Sequence, residues 1–178
     1  MSFPYPLPAL DLSAPFDRHR ATVEPAWVDP NGHMNVGYYV VAFDRATDTF
    51  CEQLGVAWNY VRHGLGSVFI LEAHATFARE LLGGSPIRIT TQLLDCDAKR
   101  VHLFHVMYHE TEGFLAATNE LLLTHVNLGT RRTAPWRPET LERLEAIAAA
   151  HRVLPRPSEA GHAIGIRRPR EGDILADR

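Results

Sequence analysis

Two cysteines, Cys51 and Cys96, are all that the 178 residues contain, too few for a disulfide framework and too far apart for a zinc knuckle. No metal is expected. Lysine is nearly missing as well: Lys99 is the one lysine among 18 basic residues, and the remainder are Arg, whose planar fork suits phosphate and carboxylate. An excess of either charge is also lacking, since 18 Lys plus Arg against 21 Asp plus Glu leave a formal net charge of -3. That balance excludes nucleic-acid binding by bulk electrostatics and fits a small molecule or a protein as partner. No run approaches the roughly 20 apolar residues of a membrane span, and the opening MSFPYPLPALDLSAPF has no basic start or continuous apolar stretch. A cytoplasmic protein with no membrane contact is expected. A Gly-x-Ser-x-Gly element is absent too, which counts against the serine nucleophile of α/β-hydrolases.

What is present is core-forming material. A hydrophobic fraction of 46%, a charged fraction of 22% and three Trp describe a packed domain, not a disordered chain. The length allows one domain plus an appendage.

Residues 1–17 carry Pro4, Pro6, Pro8 and Pro15 and should run as an extended arm. Residues 19–27 (HRATVEPAW) form the first plausible strand, which stops at the turn formers Asp29-Pro30-Asn31-Gly32. Asn35 then suits the N-cap of a helix over 36–54, in which Tyr39, Val40, Phe43, Ala46, Thr47, Phe50 and Leu54 share one face. Gly55 closes it. In residues 68–77 Phe69, Leu71, Ala73, Ala75 and Phe77 alternate with Glu72, His74 and Thr76, the period of a half-buried strand. Three more strands, 87–94, 101–109 and 114–127, are separated by short turns. The expected architecture is α+β: one strand, one long helix, then four strands in an antiparallel meander, a five-stranded sheet in all. After residue 128 a helix over 138–151 starts at Pro138. The Arg/Pro-rich tail beyond it should be poorly ordered or lie on a neighbouring subunit.

The most informative stretch is Trp27-Val28-Asp29-Pro30-Asn31-Gly32-His33-Met34-Asn35-Val36-Gly37-Tyr38-Tyr39, where a carboxylate, an imidazole and an amide crowd a strand-to-helix junction. A helix start offers unsatisfied N–H groups and the positive end of its dipole, which suits a developing oxyanion. The same residues also make a sound turn and N-cap, so the residue types alone leave both readings open.

The string Asp-x-x-Gly-His-Met-Asn-x-x-x-Tyr, followed by an apolar helix and four strands, resembles the hot-dog-fold acyl-CoA thioesterases of the 4-hydroxybenzoyl-CoA thioesterase group. The likeness covers about residues 18–128, which makes 1–17 an arm and 129–178 a C-terminal appendage. It implies a long helix wrapped by the sheet, an acyl-CoA substrate with no further cofactor, and a homodimer or homotetramer. It places the catalytic carboxylate on Asp29, the donors to the thioester carbonyl near Gly37 and Tyr38, and orienting roles on His33 and Asn35. A second branch of the superfamily carries its acid on the helix, where Asp44 stands. The more complete loop motif favours Asp29. Trp27, Tyr38 and Tyr39 would line the acyl site, and Arg79, Arg88, Lys99, Arg100, Arg131 and Arg132, near strand ends, could take the phosphates of coenzyme A.

The loop motif also resembles that of the betainyl-CoA thioesterases of carnitine breakdown. The aromatics Trp27, Tyr38, Tyr39, Trp58 and Tyr60 could hold a quaternary ammonium there by cation–π contact. Two rival readings share the fold: a hydratase or dehydratase, and a non-catalytic acyl-CoA binder. Glu72 with His74 reads as a surface or intersubunit pair before a dyad. On a strand His102 faces away from His105 and His109, which argues against a three-histidine metal site.

Overall fold

The computed structural model describes residues 3–166. An antiparallel sheet curls round one long helix. The strands are β1 (Phe16–Thr22), β2 (Ser67–Phe77), β3 (Pro86–Cys96), β4 (Arg100–His109), β5 (Leu115–Asn127) and the two-residue β6 (Arg132–Thr133). The helices are α1 (Val36–Leu54), the short α2 (Trp58–Arg62) and α3 (Pro138–His151). The expected α+β hot-dog architecture forms, with β6 added as a sixth strand on the end of β5.

The meander is only partly present. β3, β4 and β5 follow one another, but the strand order is β1-β3-β4-β5-β2, so β2 lies beyond β5 and not beside β3. Residues 78–85 make this possible by passing beneath the start of α1, where Leu81 O accepts the Met34 N–H and Val23 O accepts that of Gly84. The first strand also shifts. It spans 16–22, and residues 25–27 are a 3-10 turn, because Pro25 has no N–H for a ladder. The arm therefore ends at residue 15.

Strand β2 is an edge. Its expected half-buried face is open, with Phe69, Leu71 and Phe77 38–55% exposed, and Ile70 on the alternate positions is 45% exposed as well. Its pairing with β5 slips between Ile70 and Glu72, a bulge at Leu71.

Two clusters fill the core. One gathers Phe50 and Leu54 with Tyr60, Trp136, Leu144 and Ile147; the other gathers Tyr39, Phe43 and Ala46 with Trp27, Met34 and Ile89. Fully buried His105 bonds Thr47 Oγ1 (3.0 Å) and Thr91 Oγ1 (2.9 Å). Burial pushes its pKa down to about 3. His102 instead meets Glu120 at 2.7 Å, and His109 lies 3.5 Å from Glu112. The three histidines diverge.

Helix α3 is fixed through His151, whose Nδ1 accepts the Leu93 N–H (2.8 Å) and whose Nε2 donates to Ser13 O (3.0 Å). The tail expectation is corrected for residues 155–161, which are bonded to the chain's own sheet: Gln92 Nε2 donates to Pro155 O (3.2 Å) and Gly161 N–H to Glu120 Oε2 (2.7 Å). Residues 167–178 fall outside the described residues. Glu72 and His74 line a hollow beside this segment, together with His102 and Glu120. No helix among the described residues is long and apolar enough to cross a membrane.

Candidate active site

The loop before α1 is a tight hairpin. Val28 and Met34 form a bridge, inside which Asp29 N–H donates to His33 O (3.0 Å) and Gly32 N–H to Asp29 O (2.9 Å). Asp29 Oδ1 accepts the Asn31 N–H at 2.8 Å, the side-chain turn that aspartate favours. Gly32 stands at φ +87, a left-handed conformation that glycine alone adopts without steric cost. His33 Nδ1 donates to Met34 O (3.3 Å) and lies 3.8 Å from Asp29 Oδ2, too far for a hydrogen bond but near enough to orient charge. The Asp29 side chain is 14% exposed and that of His33 35%. A recessed carboxylate thus keeps Oδ2 for other work, bonded only loosely by Asn31 Nδ2 at 3.4 Å.

Asn35 caps α1. Its Oδ1 accepts the Gly37 N–H at 3.0 Å and its carbonyl accepts the Tyr38 N–H at 2.9 Å. Those two N–H groups, which the resemblance names as carbonyl donors, are therefore occupied by the cap. The Val36 N–H has no acceptor among the described residues. No acidic side chain stands in the first turn, so the positive end of the helix dipole is not neutralised. With Oδ1 committed, the Nδ2 donors of Asn35 are its open edge.

A pocket of about 300 Å³ opens here, lined by His33, Val36, Tyr39, Phe77, Arg79 and Glu80 among others. Tyr39 is buried, meets Phe77 edge to face (5.3 Å, 78°) and accepts the Leu81 N–H on its hydroxyl at 3.1 Å. A bridge between His33 and Leu82 completes the stitching of the loop to the segment after β2. Larger hollows of about 440 and 450 Å³ lie on the outer sheet face and beside the arm, and neither is lined by the motif.

The other expected residues are not all brought together. Trp27 is buried, stacked on Tyr38 (5.6 Å, 11°), with the Arg45 guanidinium 5.0 Å over its ring. Tyr60 is fully buried, and Trp58, 73% exposed, stands past the far end of α1. The expected aromatic cage does not form within the protomer. Asp44 lies two turns beyond Val36, about 12 Å along the axis, on an exposed stripe with Asp48 and Glu52. Neither Asp44 nor Asp29 lines the pocket itself, but Asp29 adjoins its wall at His33, 3.8 Å away. Partial desolvation against the helix surface, reinforced by the like charges of Asp44 and Glu52, raises the Asp48 carboxyl above the usual range.

Arg88 grips Asp17 at 2.6–3.0 Å and Arg100 grips Asp97 at 2.6–2.9 Å, so both are spent on their own chain. Arg79 stays at the pocket, its guanidinium 3.8 Å over Phe114 and 3.9 Å from Glu112. Arg131 lies 5.4 Å over Phe69. Val36, Phe77 and Glu80 were not legible as site residues, because Phe77 belongs to an apolar alternation and Glu80 to no motif. Only the pairing of Met34 with Leu81 brings them in.

Residues 23–144 match the thioesterase-like superfamily. The chain is 37% identical over 155 residues to a betainyl-CoA thioesterase of Pseudomonas aeruginosa, covering 87% of this chain and 98% of that protein. It is 39% identical over 158 residues to an L-carnitine dehydrogenase/betainyl-CoA thioesterase of Ruegeria pomeroyi, covering 89% of this chain and 32% of that longer one. A Staphylococcus aureus protein solved in complex with CoA superposes with a TM-score of 0.79 at 27% identity, covering 87% of this chain and 99% of that one.

Proposed function

The chain belongs to the thioesterase-like superfamily, and from that premise we propose that it hydrolyses an acyl-CoA to free acid and coenzyme A in the pocket beside Asp29. The observation that carries this is an unsatisfied N–H on Val36, which lines a small pocket together with His33, the neighbour of the recessed Asp29 carboxylate. A thioester is already activated, so an oriented oxygen nucleophile and a stabilised oxyanion suffice. The carbonyl oxygen faces Val36 N–H and Asn35 Nδ2, the donors left after the cap has formed. Asp29 Oδ2 is the oxygen free to attack the carbonyl carbon or to take the proton of an attacking water, and the tetrahedral intermediate collapses with loss of the thiolate. His33 positions the carboxylate.

Its acyl group, by likeness to the Pseudomonas aeruginosa and Ruegeria pomeroyi proteins, is betainyl. The unpaired apolar edge of β2 supports a homodimer, since an open strand bearing Phe69, Ile70 and Leu71 is a surface that soluble chains cover.

Thiol release from a panel of acyl-CoA substrates tests the reading. Asp29→Asn should lower turnover by about 10²–10⁴-fold with an unchanged melting temperature. Near-wild-type release in that variant removes Asp29 from the mechanism. Tight acyl-CoA binding with no thiol release would mark a binder, and loss or gain of water on the acyl chain a hydratase.

A further inference from the structure

We infer that Phe77 and Glu80 form the wall of the pocket that reads a positive charge on the acyl group, so that the enzyme selects a trimethylammonioacetyl thioester over an uncharged acyl group of the same shape. This rests on the Asp29 pocket being the thioesterase site.

In such a substrate the quaternary nitrogen is two bonds from the carbonyl carbon. Whatever recognises it must line the pocket that receives the thioester, beside Val36 and the His33 that adjoins Asp29. That requirement disposes of the obvious aromatics. Trp58 follows the 19-residue helix α1, about 27 Å along its axis from the loop. Trp27 and Tyr38 are closed on each other, and the cation over Trp27 is already supplied by Arg45.

Phe77 and Glu80 remain, and both line the pocket with His33 and Val36. Phe77 keeps 50% of its surface exposed after Tyr39 has packed against it. Glu80 makes no hydrogen bond or ion pair among the described residues. Its backbone is nevertheless fixed, because the next residue donates its N–H to Tyr39 and accepts that of Met34 at 2.7 Å. Burial raises the pKa of the Tyr39 phenol, and the Glu80 carboxylate adds to that rise, which places the negative charge beside the pocket's inner wall.

A quaternary ammonium has no N–H to donate. It is held by a π-face and by diffuse negative charge, not by directed hydrogen bonds. An apolar pocket with one exposed ring and one unpaired carboxylate meets that need. The neighbouring Arg79 does not cancel it, since its guanidinium is turned onto Phe114 and Glu112.

The test compares kcat/KM for betainyl-CoA and 3,3-dimethylbutyryl-CoA, in which carbon replaces the charged nitrogen at nearly constant shape. Wild type should favour the cationic thioester by about tenfold or more, and Glu80→Gln and Phe77→Leu should each reduce that ratio by about three- to tenfold. Glu80→Lys should invert it, and circular dichroism checks that each variant is folded. A wild-type ratio near one, a ratio unmoved by the Glu80 and Phe77 changes, or one moved by Trp58→Ala instead overturns this assignment alone. No thiol release from either compound by wild type overturns the thioesterase reading beneath it.

Discussion

The two ends of α1 are finished in opposite ways. At the C-terminal end Gly55 adopts φ +76 and donates back to Cys51 and Glu52. The leftover carbonyls are then taken by other parts of the chain: Gln53 O by Arg143 (2.7 Å), Leu54 O by Thr140 (3.3 Å) and Gly55 O by Tyr5 (2.7 Å). At the N-terminal end Asn35 satisfies Gly37 and Tyr38, while Val36, whose N–H has no partner among the described residues, lines a pocket. Every helix begins with orphan donors and ends with orphan acceptors. The chain spends its own arm and α3 on one set and leaves the other open near a recessed carboxylate, so only the N-terminal end has a donor to spare for the proposed substrate.

Val36→Pro breaks the open end with little disturbance elsewhere. Proline is favoured at the first helical position, and Asn35 already has the extended ψ of 142° that a residue before proline requires. The one N–H is lost and the helix stays. Turnover should fall by about 10²–10³-fold, the usual cost of one oxyanion donor, with no fall in melting temperature. Unchanged turnover would move the oxyanion site elsewhere. At the closed end Leu144→Ala should do the reverse. It empties a fully buried position packed with Phe50 and Leu54 and should cost about 3 kcal/mol in denaturant unfolding, while kcat/KM well below the melting temperature is retained.

Acid should weaken the core between these ends. His105 is held neutral by burial, its pKa moved from 6.5 to about 3. The unfolded chain binds a proton near 6.5 that the folded chain refuses, so stability is complete above that pH and falls below it, down to about pH 3. The slope is about 1.4 kcal/mol per pH unit, measurable as urea midpoints from pH 7 to 5. His151, also lowered chiefly by burial, acts in the same direction, and hydrogen exchange in α3 should rise first. A flat profile would mean that His105 protonates in place. The smallest effect belongs to Arg143→Ala, which removes donors to Gln53 O and Pro8 O. About 1 kcal/mol and faster proteolysis of the arm are expected, with turnover unaltered.

Much of this was legible along the chain. Asn35 as the cap and Gly55 as the stop of α1 follow from local side-chain chemistry, and both stand where their residue types placed them. The turn Asp29–Gly32 was equally local. Legibility ended where a residue's meaning depends on a distant partner. Phe69 and Phe77 alternate as core residues do, yet are exposed because β2 crosses to the sheet edge. Arg88 and Arg100 resemble phosphate ligands until Asp17 and Asp97 are seen against them.

By itself, then, the sequence determined the long helix and its caps, the strands apart from both bounds of β1 and the short β6, and a loop motif that points to Asp29, because each rests on contacts within a few residues or on a period of two or 3.6. Tertiary structure alone decided which strands are neighbours and which side chains wall the pocket. Those are matters of long-range pairing. The passage of residues 78–85 under α1 sets both, and no local propensity encodes it.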